Sequence, residues 1–276
     1  GERSREGLEL VEALSQTGAI KYTSLVYGPM GENPAVRFLA GLSGVTVAEY
    51  FRDTAKKEVL FFIDNVFRLA QAGNELSLLT DTIPSEDGYQ ASLESEMAAF
   101  HERVTSVDGG KLSAIEAIYV PADDFLDYAV QAILPYLDSV GVLSRTIYQQ
   151  GLLPAVDMIG STSSALDPAV VGVKHYQTAT AAKAILKNAE SLERIVSLVG
   201  EGELSPDDQI TLKRARKVRN FMTQRFFVAE AQKGEKGVYV KASETVEGVA
   251  AVLEGKFDQV PEERFRYIGS VKDLKI

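Results

Sequence analysis

The chain has 276 residues, 45% of them hydrophobic and 25% charged, with a formal net charge of −10. This is the balance of a soluble globular protein with room for one large domain or two ordinary ones. The acidic excess argues against nucleic acid as a partner. The absence of cysteine excludes a disulfide framework and a thiolate zinc site, and no apolar run suits a membrane span or a signal peptide.

The chain opens on Gly1-Glu2-Arg3 with no initiator Met, like the end of a strand running into a helix, so a preceding part is expected to be missing. Ser4 to Thr17 reads as a helix stopped by Gly18, Tyr22 to Tyr27 as a strand, and Gly28 to Pro34 as a loop. Ala35 to Leu42 and Val45 to Ala55 read as helices split by Ser43-Gly44. Val59-Leu60-Phe61-Phe62-Ile63 is a short apolar run behind two lysines, expected to be a fully buried strand ending at Asp64. A helix is expected from Asn65 to about Leu79. Ser92 to Val104 is helical, Asp108-Gly109-Gly110 a tight turn, and Leu112 to Val120 a strand running into Pro121-Ala122-Asp123-Asp124. Val140 to Ile147 is a further strand candidate. Strands alternating with helices argue a parallel sheet with helices on both faces. Beyond Asp167-Pro168 the pattern turns helical over Thr178–Val199, Asp207–Gln224 and Thr245–Leu253, with a short Gly237–Lys241 strand. A boundary is expected near residue 171, giving an α/β domain over 1–171 and a helical domain over 172–276.

Ligands bind outside the carboxyl ends of strands in open α/β sheets, so Asp64 is a candidate metal-site acid. It could equally cap the following helix. Glu2 at a strand–helix junction could orient an attacking water or belong to a solvated charge cluster. Phe226 could be core or a ligand face. Glu201–Asp208 reads as a solvated acidic loop between helices, with Pro206 at a helix N-terminus capped by Ser205. His101 and His175 lack companion ligands at metal-site spacing.

Several stretches occur in fixed order. They are Gly1 to Gly7, Thr46 to Asp53, Leu60 to Arg68, Gln71-Ala72-Gly73, Ile83-Pro84-Ser85 with Gly88-Tyr89-Gln90, and Ala117 to Asp124. Leu152 to Asp157 with Ser161-Thr162-Ser163, Glu203-Leu204-Ser205, Arg214 to Lys217 and Phe226 to Glu230 complete the string. Together it resembles the catalytic beta subunit of the F-type ATP synthase over essentially the whole chain, and Pro-Ala-Asp-Asp favours beta over its relatives.

The resemblance implies a P-loop NTPase (RecA-like) α/β fold, truncated at its N-terminus, with a C-terminal helical domain. It implies formation of ATP from ADP and phosphate, and ATP hydrolysis, coupled to proton transport by rotation. Glu2 would position the attacking water, Arg3 and Arg68 would sit at the phosphates, and Asp64 with Glu6 would serve Mg²⁺. Tyr119 would lie beside the phosphates, and Leu153, Phe226 and Ala229 around the adenine. The implied partners are an alpha subunit, which completes the site with an arginine finger in an alternating hexamer, and a gamma shaft. The shaft would meet the Glu201–Asp208 segment and, as a second contact, Asp127. Membrane contact would come only through the complex, on the cytoplasmic side.

Three departures qualify this. No Gly-x-x-x-x-Gly-Lys-Ser/Thr phosphate loop is present, so the chain alone is expected to be inactive. Leu153 and Gln232 stand where the family has aromatic residues. The acidic segment is diluted, and Phe125 and Leu126 depart from the family beside Asp127. The alternative is a non-catalytic nucleotide-binding or assembly module; an export-type ATPase is disfavoured by Pro-Ala-Asp-Asp.

Overall fold

A computed structural model describes residues 3–230 and 234–274. It divides into two compact units, one up to Leu137 and one from Asp138 on.

In the first unit α1 is Ser4–Gln16, α2 Pro34–Asp53, β1 Glu58–Asp64, α3 Val66–Leu79, α4 Leu93–His101, β2 Lys111–Ala117 and α5 Tyr128–Ile133. β1 and β2 pair in parallel, in register from Glu58↔Lys111 to Asp64↔Ala117. Val66, Phe67, Ala70, Leu93, Met97, Phe100, Val130 and Ile133 form the core. They come from the apolar faces of α3, α4 and α5, with Phe61 and Ile63 of β1 packed against them. His101 belongs to this packing: its ring stacks on Tyr136 and its Nε2 lies 3.0 Å from Glu116 Oε2.

Three expectations are corrected here. The α2 helix runs unbroken through Ser43-Gly44. Its glycines serve close approach: a Cβ on Gly41 would stand 2.9 Å from Leu69 Cδ1, and one on Gly44 3.6 Å from the Phe61 ring. Tyr22 to Tyr27 forms no strand. Ala19–Tyr22 is a 3₁₀ turn and the following residues carry no ladder. Tyr27 instead anchors α1, its hydroxyl donating to the Gly7 carbonyl at 3.3 Å. Finally, β1 is half-buried on one face and exposed on the other. Val59, Phe61 and Ile63 turn inward, while Leu60 and Phe62 on the alternate face are 56% and 64% exposed.

In the second unit β3 is Ser139–Leu143, α6 Arg145–Gln149, β4 Val156–Ser163, α7 Pro168–Val171, α8 Val173–Val199, α9 Pro206–Phe221 and α10 Ala242–Leu253. β3 and β4 are antiparallel, with Leu143 opposite Val156 and a register shift between Val140 and Val142. The apolar run expected to be one strand over Val140–Ile147 therefore divides. Ser144 accepts a hydrogen bond from the Ile147 N–H and starts a helix, as N-caps do. Gly237–Lys241 forms no strand. Helices α8, α9 and α10 enclose Leu186, Leu192, Leu212, Val218, Val252 and Phe265. Ser205 caps α9 by accepting from the Asp208 N–H at 3.2 Å, with Pro206 following it. The architecture is α/β with a parallel pair and covering helices, followed by a helical carboxyl-terminal part.

Candidate functional site

Because β1 and β2 are parallel and in register, their carboxyl ends lie side by side. Asp64 ends β1 opposite Ala117, the last residue of β2. The chain leaves β2 through Ile118 to Tyr119, while β1 runs through Asn65 into α3. Asn65, not Asp64, is the cap of α3: its Oδ1 accepts from the Arg68 N–H at 2.9 Å. The capping role therefore falls to the neighbour, and the Asp64 side chain is exposed at the strand end.

Arg68 lies in the first turn of α3. Its Nη1 donates to Gln71 Oε1 at 2.9 Å, and its guanidinium carbon lies 5.8 Å from the centre of the Tyr119 ring. Phe67 meets the same ring edge-on at 5.7 Å. A carboxylate, a guanidinium, a phenol and a helix N-terminus thus share the carboxyl end of the β1–β2 pair. Helix N-termini and guanidinium groups favour phosphate, and a carboxylate beside them suits the cation that accompanies it.

The other expected residues of this unit sit on α1. Arg3 holds its N-cap position and Glu6 its first turn, both exposed. Glu2, expected to orient water, lies outside the described residues. Asp127 is used internally: Oδ1 accepts from Ala129 N at 2.9 Å and caps α5, and the Tyr89 hydroxyl donates to its Oδ2 at 2.8 Å. Burial and this carboxylate hold the Tyr89 phenol far above its ordinary range.

In the second unit the Leu153 carbonyl accepts from the Gln224 N–H at 2.7 Å, two residues before Phe226. The Leu153 N–H donates to the Tyr267 hydroxyl at 3.2 Å. Leu153 is thereby held near the Phe226 segment. Ala229 ends a 3₁₀ turn whose N–H reaches the Phe226 carbonyl. A cavity of about 340 Å³ opens beside Phe226, with Phe226, Phe227, Val238, Tyr239 and Val240 in its walls, while Leu153 and Ala229 are not among its lining residues. The Val238–Val240 wall was not assigned to a site from sequence. Its alternating apolar residues read as a strand, and hydrogen bonds such as that from Val238 N to Arg225 O at 3.1 Å bring it to Phe226. Gln232 lies outside the described residues.

A second cavity of about 480 Å³ is polar, with Arg216, Arg219, Arg266, Glu193 and Glu262 in its walls. Burial raises the Glu262 carboxyl above its ordinary range. Arg216 Nη1 binds Glu201 Oε2 at 3.0 Å. In the acidic segment Glu201 is therefore turned to α9, and Asp208 Oδ2 is bonded to Ser205. Glu203 and Asp207 remain on the surface.

Residues 1–163 match the family model described as ATP synthase alpha/beta family, nucleotide-binding domain. The chain belongs to that family. Residues 164–253 match the C-terminal domain of V and A type ATP synthase. Among solved structures, the chain is similar to one described as a unique ATP synthase subunit NeqB from Nanoarcheaum equitans. The TM-score is 0.78 at 21% identity, over 92% of this chain. That likeness is one of fold, and the chain spans 62% of the length of that subunit. As a member of the ATP synthase alpha/beta family, this chain carries its Asp64–Arg68–Tyr119 cluster and its Phe226 cavity within the nucleotide-binding and C-terminal family matches respectively. Among the described residues, no helix is long and apolar enough to cross a membrane.

Proposed function

We propose that this chain is part of the catalytic, beta-type subunit of an F-type ATP synthase, making ATP from ADP and phosphate and hydrolysing it within a hexamer shared with an alpha subunit. The observation that carries this reading is the meeting of Asp64, Arg68 and Tyr119 at the carboxyl ends of β1 and β2. Phosphoryl transfer needs positioning and charge neutralisation more than covalent help, and these groups supply both. Arg68 neutralises phosphate oxygens, and Tyr119 with Gln71 fixes its direction. Asp64 would hold Mg²⁺, which comes with the nucleotide and supplies charge neutralisation at the phosphates.

The donor set fits that ion. Mg²⁺ is commonly held through one or two carboxylates, with phosphates and waters completing its shell. Among the described residues no group of three or more His, Asp or Glu could hold a metal ion. Glu6 is the second carboxylate of the proposal, Arg3 a further phosphate contact and Glu2 the water-positioning base. Leu153, Phe226 and Ala229 bound the adenine. The exposed Glu203 and Asp207 face the gamma shaft, and the alpha subunit contributes the arginine finger. The domain boundary of this reading is near residue 171, and coupling is to proton flow at the cytoplasmic side of a membrane.

The test is the Mg²⁺-dependent ATPase of the assembled complex containing the complete subunit. Asp64→Asn and Arg68→Ala should each lower turnover by about 10²-fold or more. Turnover unchanged in both variants would sink the catalytic reading. A second reading, a non-catalytic assembly module of a V- or A-type complex, is favoured by the match of residues 164–253 and by aliphatic Leu153. It is the reading left standing by that result.

A further inference from the structure

We infer that Tyr239 supplies an aromatic face for the nucleobase in the Phe226 cavity, offsetting the face that Leu153 does not provide. The inference rests on the nucleotide-binding reading and adds a residue that sequence patterns did not assign to the site.

The cavity, about 340 Å³, falls in the range of small-ligand pockets, about 300–1,000 Å³. Its Phe226, Phe227, Val238, Tyr239 and Val240 walls are largely apolar. Tyr239 is 77% exposed and Phe227 60% exposed, so aromatic surface is left bare at a concavity.

Three contacts hold the Tyr239 segment against Phe226–Phe227. Val238 N–H donates to Arg225 O, and the Gln224 side-chain amide donates to the Val238 carbonyl. Gly237 N–H donates to Glu230 Oε1 at 2.7 Å. A Cβ on Gly237 would stand 2.5 Å from Phe227 N, so only glycine permits this approach.

Val238 and Val240 both approach Gly269, where a Cβ would meet them at 3.4 and 3.5 Å, and Tyr239 between them lines the cavity together with Phe226 and Phe227. Leu153 is held by its backbone at the nearby Gln224 and offers no π face. Stacking on aromatic side chains is sequence-tolerant and strong enough to hold a base. The ligand class is the heterocycle of an adenine nucleoside di- or triphosphate.

The chain contains no tryptophan, so Tyr239→Trp installs a lone fluorescent reporter. Adenosine and ADP are titrated into the 276-residue chain carrying that change, and into a second chain carrying Val228→Trp as a reporter at an exposed position. Binding of the same two probes to Tyr239→Ala, Tyr239→Phe and Phe226→Ala is measured by saturation-transfer NMR, with thermal melts to establish folding. Saturable quenching is expected in the Tyr239→Trp chain, stronger than in the Val228→Trp chain. Tyr239→Ala should weaken binding by about tenfold and Tyr239→Phe by less than about twofold. Binding unchanged in folded Tyr239→Ala but lost in Phe226→Ala overturns the Tyr239 inference and leaves the nucleotide reading intact. If the unsubstituted chain binds neither adenosine nor ADP, the nucleotide reading of this cavity fails and the inference falls with it.

Discussion

The guanidinium carbon of Arg68 lies 5.8 Å from the centre of the Tyr119 ring, which is itself held edge-on by Phe67. The two residues are far apart in the chain and meet because β1 and β2 run in parallel with their ends aligned. The ring limits where the guanidinium can point. In the assembled complex Tyr119→Phe should keep ATP turnover within about twofold, because the cation–π face survives. Tyr119→Ala should lower it by about five- to tenfold, the equivalent of a contact of about 1 kcal/mol. Steady-state ATPase assays of the two variants separate these outcomes; equal loss in both would assign the effect to the hydroxyl instead.

Asp64 and Asn65 divide two roles that adjoin in sequence. Asn65→Ala should destabilise the chain by about 1 kcal/mol through loss of the α3 cap. Asp64→Asn should leave the melting temperature nearly unchanged while removing the Mg²⁺ dependence of nucleotide binding. Thermal melts and binding titrations with and without Mg²⁺ are the measurements. A large fall in melting temperature for Asp64→Ala, with little change for Asn65→Ala, would return the capping role to Asp64.

Leu153→Tyr adds an aromatic ring where the resembling family carries one. In the complete subunit it should tighten adenine nucleotide binding by about fivefold, roughly 1 kcal/mol. The backbone bonds from Gln224 and to Tyr267 do not involve the side chain, so the fold tolerates the change. An unaltered dissociation constant counts against Leu153 as a base contact.

Asp127 caps α5 and accepts from Tyr89. Asp127→Ala should cost about 2 kcal/mol, one part cap and one part hydrogen bond, read as a lower denaturation midpoint. Burial and the Asp127 carboxylate raise the Tyr89 phenol above its ordinary value of 10.0. A raised group contributes stability that is present below its unfolded value and lost as pH rises through the folded one. Stability of the unsubstituted chain should therefore fall on the alkaline side of about pH 10, and Tyr89→Phe should flatten that fall.

The acid limb has the opposite sign. Arg103 donates to both Glu49 oxygens, at 2.9 and 2.5 Å, and this bonding lowers the Glu49 carboxyl below 4.5 against the effect of burial. The stability it contributes is present above about pH 4.5 and lost as pH falls through the lowered value. Glu49→Gln should reduce stability at neutral pH and make the remaining profile flatter below about pH 4.5. Denaturant midpoints at about pH 7 and about pH 3 test both halves; a constant difference between the two chains across that range would refute the linkage.

Local pattern was enough to place α3, α4 and α9, because helical spacing and caps such as Ser205 act over a few residues. It misplaced the Tyr22–Tyr27 strand, because a strand requires a neighbour as well as propensity, and Tyr27 bonds to α1 instead. It split α2 at Gly44, because a glycine's cost in a helix is small beside the packing of α2 on Phe61 and Leu69. The V/A-type match of residues 164–253 was not drawn from the beta-type motifs, which lie mainly earlier in the chain.

Membership in the ATP synthase alpha/beta family and an acid at a strand end were legible in residue order, since ordered motifs and apolar runs are local information. Folding in three dimensions was needed to make Asn65 the cap and to bring Arg68 to Tyr119. It was needed as well to take Asp127 up inside its own unit and to stand Tyr239 in the wall of the Phe226 cavity. Each of these depends on which distant segments lie side by side, and that is set by strand pairing and long-range packing rather than by propensity or spacing.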